Sequence, residues 1–416
     1  AIAWSLSEEE FIKRLDLFSN LKLRFSYGQT GNQAISSYQT MESLGTANYP
    51  LNGTLTSGFS GQTYKGPLNT SLRWETTDQF NVGLDFGFWK NRLNFSANYY
   101  YKKTKDLLQN VSIPLSTGYS TMWTNFGHVT NKGFEFTANV VAIDNKDWGL
   151  NFDGNISFNQ NRIGGLNADQ YATQLWYGAN EVFLQRNGLP IGTIYGYVED
   201  GFYDNIAEVR ADPIYSKVSK EEAQRMIGEI KYVDRNGDNQ ITTEDRAVIG
   251  DTNPDFIYGL NANFRWKKLS LGLFFQGSQG NDIFNGNLTM IGMNSIGNVT
   301  REAYENRWTP ENAANAKWPR ITTAMTRDMK LSDRYVEDGS YFRLKTINLS
   351  YNFGSVCKGI TDLSVFGTIT NVFTLTNYSW FDPDVNAFGS DASRRGVDIF
   401  SYPNSRTYTI GFKLTL

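Results

Sequence analysis

The chain of 416 residues carries 39 basic and 42 acidic side chains, and this net charge of −3 argues against a nucleic-acid binder, which shows a basic excess or stripe. Aromatic residues make up 15 % of the chain, and no segment stays apolar for the roughly 18 residues that a membrane helix needs, which excludes a helical membrane protein. One cysteine, Cys357, and one histidine, His128, exclude an internal disulfide and argue against a histidine triad or a multi-histidine metal site.

The first predicted element is a helical lead at 7–15, "SEEEFIKRL", in which Ser7 and Glu10 have the spacing of a capping box. No secretory signal opens the chain. We therefore interpret the lead as a periplasmic turn between two strands, and we expect the N-terminal part of an exported protein to be missing from this chain.

Strict alternation of apolar and polar residues over about ten positions recurs along the chain and predicts β-strands. The apolar sides of three such segments are Phe80, Val82, Leu84, Phe86 and Phe88; Tyr258, Leu260, Ala262, Phe264 and Trp266; and Tyr408, Ile410, Phe412, Leu414 and Leu416. The predicted strands lie near 21–28, 79–88, 93–103, 131–142, 147–160, 256–266, 268–277, 341–353, 361–372 and 405–416. We expect the apolar sides to face lipid and the polar sides to line a lumen.

The connections between these strands alternate between short and long. Short connections lie at 89–92, 143–146, 267–268 and 354–360, and long connections at 29–78, 104–130, 161–255, 278–340 and 373–404. Soluble sandwiches do not sort their loops in this way, whereas outer-membrane barrels have short periplasmic turns and long extracellular loops. The pattern predicts an antiparallel transmembrane β-barrel wall whose C-terminus is periplasmic.

A short helix is predicted at 219–227, inside the long connection at 161–255. Ser219 and Glu222 have the spacing of a capping box at its start. We interpret it as a solvated surface helix of an extracellular loop insertion.

A calcium-binding loop is predicted at 234–245, directly after this helix. Oxygen-bearing side chains occupy positions 1, 3, 5, 9 and 12 of the loop, and a backbone carbonyl is available at position 7, which is the spacing of an EF-hand loop. The candidate ligands are Asp234, Asn236, Asp238, the Gln240 carbonyl, Thr242 and Asp245. Asn239 replaces the usual turn glycine and Asp245 replaces the usual glutamate. The alternative is a polar turn without a metal.

Several segments together resemble the SusC/RagA family of TonB-linked outer-membrane proteins, in the family's order and over most of the chain. They are "LKLRFSYGQTGNQ" at 21–33, "LRWETTDQFNVGLDFGFWKNRLNFSANYYYKKTKDLL" at 72–108, "TNKGFEFT" at 130–137, "VIGDTNPDFIYGLNANFRW" at 248–266, "DRYVEDGSYFRLKTINLSYNF" at 333–353 and "VFGTITNVFTLTNYSWFDPDVN" at 365–386.

The resemblance implies an all-β chain that supplies the C-terminal half, about 10–12 strands, of a 22-stranded outer-membrane barrel. It also implies an N-terminal plug, contact with TonB, a SusD-like surface lipoprotein as partner, and import of glycans or peptides in Bacteroidetes-type bacteria. The plug, the TonB box and the first strands are absent from this sequence. Membrane lipid is the expected surrounding of the wall, and no nucleic acid is expected as a partner.

Two other functions compete with active import. A passive porin-like or adhesive barrel would lack the plug, and a soluble calcium-binding all-β carbohydrate module would also alternate apolar and polar residues. The sorting of short and long loops disfavours the soluble module. An enzyme is disfavoured because one histidine, one cysteine and no nucleophile motif leave little for catalysis.

We expect the sheet to be closed, because unpaired backbone groups in hydrocarbon cost several kcal/mol each. We expect 405–416 to pair with 361–372 and with a strand from outside this chain. We expect 21–28 to pair with 79–88 and, on its other side, also with an outside strand. Hydrogen bonding between 21–28 and 405–416 would instead indicate a complete ten-stranded barrel.

Overall fold

Alternating segments pair side by side in the computed structural model, which describes residues 1–33, 40–41, 44–48, 60–64, 67, 69–119, 121–172, 181–291, 298–322, 329–389 and 391–415. Within these residues, eleven strands form one sheet in which each strand lies next to its neighbour in the chain and runs antiparallel to it. The strands are β1 (Ile2–Ser5), β2 (Phe18–Asn32), β3 (Glu75–Phe88), β4 (Leu93–Lys105), β5 (His128–Asp144), β6 (Trp148–Gly164), β7 (Phe256–Trp266), β8 (Leu269–Gln279), β9 (Tyr341–Gly354), β10 (Asp362–Thr376) and β11 (Thr407–Thr415).

All ten predicted strands are confirmed, as β2 to β11, and most extend further than predicted. The predicted pairing of 21–28 with 79–88 is confirmed by β2 and β3, and that of 405–416 with 361–372 by β11 and β10. Leu416 lies outside the described residues. No hydrogen-bonded pairing joins β2 or β1 to β11 within the described part of the chain. The outside partner of β11 remains a prediction.

The expected outside partner of 21–28 is wrong for part of that strand, because β1 of the same chain occupies the position. Ile2 lies opposite Phe25, and Ser5 lies opposite Lys22. The lead at 7–15 is therefore a turn between two strands, as interpreted from the sequence. Its predicted capping box is wrong: the helix α1 (Glu10–Lys13) begins after Glu9, and no side chain caps it. Ser7 lies three residues before α1 begins, so it cannot cap this single helical turn.

The strand register separates the sheet into an apolar face and a polar face, because residues directly opposite each other in antiparallel strands share a face. Opposed apolar residues run from strand to strand across the sheet: Leu21, Phe86 and Phe95; Ala97, Phe136 and Ile156; Gly154, Leu260 and Phe275; Tyr351, Val365 and Phe412. The apolar face is therefore a continuous belt.

This belt is not covered by protein in the described part of the chain. Phe80 is 42 % exposed and Tyr408 is 67 % exposed, Leu260 is exposed, and none of them belongs to a buried cluster. Aromatic rings contact one another along the belt, including Tyr99 with Phe134 at 5.0 Å between ring centres. The apolar sides of the strands are exposed and do not pack into an interior core, which confirms the predicted outward orientation.

The two ends of the sheet differ in their connections. One end, which we call the short-turn end, carries the connections at 6–17, 89–92, 145–147, 267–268 and 355–361. The tightest of these turns place non-glycine residues in the left-handed region, with φ of 50° at Lys267 and 62° at Asn91. The opposite end, the long-loop end, carries 33–74, 106–127, 165–255, 280–340 and 377–406.

Short elements build the long connections. The strand pairs and small sheets are Leu44–Asn48 with Ser60–Tyr64; Leu108–Ser112 with Thr121–Asn125; Gln170–Ala172, Phe183–Gln185, Thr193–Gly196 and Ala247–Asp251; Glu199–Phe202 with Ile230–Tyr232; and Val336–Asp338, Asp282–Asn285 and Val397–Asp398. The helices are α2 (Ile206–Ala211), α3 (Lys220–Met226), α4 (Gly286–Ile291) and α5 (Arg301–Glu305). Each described helix is short, and none has the length and apolar character needed to span a bilayer. Both hydrogen bonds of the predicted capping box at Ser219 and Glu222 are present.

Most buried apolar side chains of the described residues lie in the connections 165–255, 280–340 and 377–406, which we call the loop layer. Its largest cluster takes residues from all three: Val182, Phe183, Ile194, Phe284, Tyr335 and Val397. The strand Asp282–Asn285 pairs with Val336–Asp338 on one side and runs parallel to Val397–Asp398 on the other. Three connections far apart in the chain therefore fold as one layer.

Candidate functional site

The polar face of the sheet carries hydrogen-bonded charged and amide side chains. Arg24 on β2 binds Asp85 on β3 with two bonds of 2.7 Å, and it also donates to Asn98 on β4 at 2.9 Å. Ser96 donates to Asp85 at 2.8 Å. Gly83 leaves room for this group, because a Cβ atom there would lie 2.6 Å from Asn98 and 2.8 Å from Arg24. The sequence pattern predicted the face of each residue but not this network.

The network continues on the next strands. Tyr100 donates to Asn159 at 2.7 Å, and Asn139 donates to Asp153 at 2.7 Å. Paired polar groups of this kind suit a wall that faces water or a polar ligand, because each group keeps a partner after its hydration is reduced. The polar face is therefore chemically suited to line a lumen.

A buried arginine joins the loop layer to the polar face. Arg343 on β9 is 1 % exposed, donates to Thr374 at 2.9 Å, and donates to Asp382 at 2.5 Å. Its guanidinium lies 4.9 Å from the ring centre of Tyr341, and its Nη1 lies 3.7 Å from Asp384. The sequence pattern does not single out Arg343, whose only signal is an arginine at a polar-face position of an alternating strand. Its partners in the connection after β10 show that it holds the loop layer against the wall.

Further buried polar groups connect the long loops to one another. Glu199 in the 165–255 connection accepts hydrogen bonds from Arg334 and Ser332, which both lie in the 280–340 connection. Tyr378 donates to Asp398 at 2.7 Å, and burial together with this bond raises the pKa of the Tyr378 hydroxyl. The bonds to Glu199 fix the relative positions of two connections that are far apart in sequence, and the Tyr378 bond holds the 377–406 connection together.

The predicted metal loop lies between the strands Ile230–Tyr232 and Ala247–Asp251. Asp234 accepts the backbone N–H groups of Gly237 at 2.7 Å and Asn239 at 2.8 Å. Gly237 and Asn239 both adopt the left-handed conformation, with φ of 74° and 63°. Asn239 therefore takes the conformation for which glycine is usual at this position, as asparagine tolerates it.

The remaining candidate ligands are held by the same loop. Asp238 accepts the Gln240 N–H at 2.8 Å, and Asn236 accepts the Asp238 N–H at 3.0 Å. Thr242 caps the short helix Thr243–Asp245 by accepting from Glu244 at 3.2 Å. Each of these oxygens has a lone pair left over after its hydrogen bond.

Asp245 is the buried member of the loop. Its carboxylate accepts the N–H groups of Thr242 at 2.7 Å and Arg235 at 2.9 Å. Burial alone would raise the pKa of Asp245, but the backbone donors outweigh it and hold the pKa below its ordinary value. The residue therefore stays ionised and closes the loop end to end.

The carboxylates of Asp234, Asp238 and Asp245 accept hydrogen bonds from backbone N–H groups of their own loop. No group of three or more His, Cys, Asp or Glu side chains is arranged to hold a metal ion among the described residues, which include the whole loop. The arrangement is chemically able to orient a turn without an ion. The sequence spacing remains the observation that favours Ca²⁺.

Comparison with known proteins places most of the chain in one class. The family model described as TonB dependent receptor-like, beta-barrel, matches residues 3–273. The chain is 35 % identical to TonB-dependent receptor P26 of Formosa agariphila over 429 residues, covering 100 % of this chain and 42 % of that protein. It is 28 % identical to TonB-dependent receptor SusC of Bacteroides thetaiotaomicron, covering 100 % of this chain and 39 % of that protein.

The fold agrees with a solved structure. The RagAB peptide transporter matches with a TM-score of 0.80 at 22 % identity, covering 99 % of this chain and 42 % of the matched chain. The chain spans about two fifths of the length of the relatives it matches.

Proposed function

This chain belongs to the TonB-dependent receptor-like β-barrel family, and we propose that it forms the C-terminal wall and the loop layer of an active nutrient importer. The resemblance to SusC and RagA and the antiparallel β-barrel fold are confirmed. The barrels of this family reside in the outer membrane, and the family consists of receptors and transporters, not enzymes. The sheet of β1 to β11 is thus part of an outer-membrane barrel wall.

The exposed apolar belt carries the proposal. A wall with apolar side chains outside and hydrogen-bonded polar side chains on the opposite face is stable in lipid with a polar lumen. A passive porin would use the same wall. The loop layer favours the importer, because a core built from three connections forms a rigid surface above the lumen, which a binding partner or a substrate requires.

We assign the long-loop end to the outside of the cell and the short-turn end, with the C-terminus, to the periplasm. In this orientation the 165–255 insertion is extracellular. A SusD-like lipoprotein would cover the loop layer, and TonB would act on an N-terminal plug that lies outside this chain. The sorting of connection lengths between the two ends supports this orientation.

Uptake by cells that carry the full-length protein tests active import. We expect labelled oligosaccharides or oligopeptides to enter only when TonB and its energy source are intact. Uptake that persists without TonB would favour the passive porin, and surface binding without uptake would favour an adhesive barrel. Glycans and peptides are both candidate substrates, and a solved RagAB structure is that of a peptide importer. Competition for uptake between unlabelled oligosaccharides and unlabelled oligopeptides identifies which class this protein imports.

We also propose that the 234–245 loop binds one Ca²⁺ as a structural ion. Asp234, Asn236, Asp238, the Gln240 carbonyl, Thr242 and Asp245 have the EF-hand spacing, and Gly237 and Asn239 supply the left-handed turn. Calcium would be held by oxygen lone pairs that the loop's hydrogen bonds leave free. The ion would offset repulsion between its carboxylates and fix this loop in the insertion.

Calcium titration of the full-length protein, first stripped with a chelator, tests this site. We expect binding in the range of about 10⁻⁷ to 10⁻³ M and slower amide exchange at 234–245. The double variant Asp234→Asn, Asp238→Asn should weaken binding more than about tenfold, while Glu221→Gln on the neighbouring α3 should not. Absence of binding at millimolar Ca²⁺ would establish the ion-free turn.

A further inference from the structure

Three cations lie together on the apolar face of the wall, just beyond the belt at the long-loop end. Tyr99, Tyr101 and Lys103 alternate along one side of β4, so Lys103 shares the face of the two aromatic rings. Lys103 lies opposite Thr130 on β5, and Thr130 lies opposite Arg162 on β6. Lys132, two residues from Thr130, lies opposite Tyr101.

The distances between these positions suit a single small anion. Neighbouring strands lie about 4.8 Å apart, so the backbones at Lys103 and Arg162 are about 10 Å apart, with Thr130 between them and Lys132 two residues away on the same strand. Lysine and arginine side chains are long enough for all three charged groups to meet over β5. Cross-strand register, not closeness in sequence, creates this group.

None of the three cations has an acidic partner among the described residues. The Arg162 guanidinium donates only to a neighbouring backbone carbonyl, at 3.2 Å. Asp78 lies opposite Lys103 on β3, but its carboxylate pairs with the adjacent Lys105 at 2.7 Å. The cluster of Lys103, Lys132 and Arg162 therefore keeps its positive charge, while the next cation along β4 is neutralised.

An aromatic floor lies directly below this cluster. Lys132 and Arg162 line a surface pocket of about 450 Å³ together with Tyr99, Phe134 and Phe158. Asp251 and Asp255 also line this pocket, and Asp251 already accepts two bonds from Asn253. The pocket thus combines two cations and an aromatic wall with two carboxylates.

We propose that Lys103, Lys132 and Arg162 form a site for the phosphate group of a phosphorylated lipid in the outer leaflet of the membrane. Aromatic side chains at a barrel rim mark the level of the lipid headgroups. Arginine binds phosphate with two parallel hydrogen bonds, and lysines add point charges. The aromatic wall below would contact the apolar part of the same lipid. The site rests on the proposed orientation, with the long-loop end outside.

A lipid fits these observations better than a protein partner. The cluster continues the exposed belt without a break, and a lipid presents its phosphate directly above its acyl chains. Free inorganic phosphate would use the cations but leave the aromatic wall without a function. An acidic protein would also use the cations, and it remains an outcome of the test.

The experiment uses the full-length protein, purified in a neutral detergent and shown to be folded by its heat-modifiable gel mobility. Binding is measured for lipid A that carries a phosphate monoester, for the same lipid after enzymatic dephosphorylation, and for inorganic phosphate. The test variant is Lys103→Gln, Lys132→Gln, Arg162→Gln. The matched control is Lys102→Gln, which lies beside Lys103 on the polar face, over the Tyr100 ring at 5.3 Å.

We expect phosphorylated lipid to bind at least about tenfold more tightly than the dephosphorylated lipid, and the triple variant to lose this difference. The Lys102→Gln control should retain it. Equal binding of the two lipids, equal losses in both variants, or binding of inorganic phosphate alone would overturn the proposal, as would co-purification of a stoichiometric acidic protein that the triple variant releases. Because the assay needs no uptake, its failure is distinguishable from failure of the importer function.

Discussion

The wall and the loop layer of this molecule place their apolar side chains in opposite ways. Phe412 on β11 is 73 % exposed, whereas Phe183 in the loop layer is 1 % exposed and packs among residues from three connections. Both regions obey the same rule, that apolar surface leaves water. The wall can expose its apolar face because lipid covers it, while the loop layer stands in water and must build its own core.

The polar groups follow the opposite pattern in the two regions. On the wall they occupy one face and pair across strands, as Arg24 does with Asp85. In the loop layer buried polar groups bond within one connection, as Tyr378 does with Asp398, or join two connections, as Glu199 does with Arg334. The stability of the wall therefore depends on the surrounding lipid, and that of the loop layer on its internal contacts.

Removal of a core ring should have the largest effect. Phe284→Ala deletes a side chain in the largest cluster and should destabilise the loop layer by about 3–5 kcal/mol. Hydrogen exchange of the full-length protein should show faster exchange at 282–285 and 397–398, with β2 to β11 unchanged. Tyr402→Ala, at a residue of the same layer that is 92 % exposed, should change little. Equal effects of the two variants would contradict a core in this layer.

A charge on the lipid face should have the next largest effect. Leu260→Arg places a cation in the belt between Gly154 and Phe275, and it should cost about 2–4 kcal/mol in urea refolding into vesicles. The neighbouring Asn261→Arg points to the lumen and should cost less than half as much. If the two substitutions cost the same, the assignment of the two faces is wrong.

Loss of one buried hydroxyl should have a smaller effect. Tyr378→Phe leaves the buried Asp398 carboxylate without its 2.7 Å donor, although the Ser401 N–H still donates at 3.0 Å. The expected cost is about 1–3 kcal/mol, seen as faster amide exchange at 397–398. Tyr402→Phe removes a solvent-exposed hydroxyl and serves as the control. No change in Tyr378→Phe would mean that the Ser401 bond suffices.

Titration of Asp282 should have the smallest effect. Burial, followed by the nearby charges of Asp251 and Asp338, raises its pKa above the ordinary 3.8. The folded state therefore holds the proton longer than the unfolded chain, so stability falls as pH rises from 3.8 through the raised pKa. Asp282→Asn should remove this loss, on the order of 1 kcal/mol or less. Asp391→Asn is the control, since burial of Asp391 is outweighed by hydrogen bonds from Ser393 and Arg394 that lower its pKa, so the sign of its effect is opposite. Parallel pH profiles would contradict the assignment.

Period-two alternation made the wall predictable, because successive side chains of a strand point to opposite faces whatever their neighbours are. It could not predict β1, since Ile2–Ser5 is too short for a pattern. The capping-box spacing of Ser7 and Glu10 predicted a helix start at Ser7 that the chain does not form. The calcium site at 234–245 stays a prediction from the spacing, and the capping role of Asp245 emerged only in the structure.

The sequence by itself determined the strands, their faces and the sorting of short and long connections, because these depend on local periodicity and chain length. The tertiary structure alone decided what the long connections do: Val182, Phe284 and Val397 meet in one core, and Arg343 ties Asp382 to the wall. It also decided that Lys103, Lys132 and Arg162 form one cationic group. Such groups depend on strand register and loop packing, which are set by contacts between residues far apart in the chain and leave no periodic signal in the sequence.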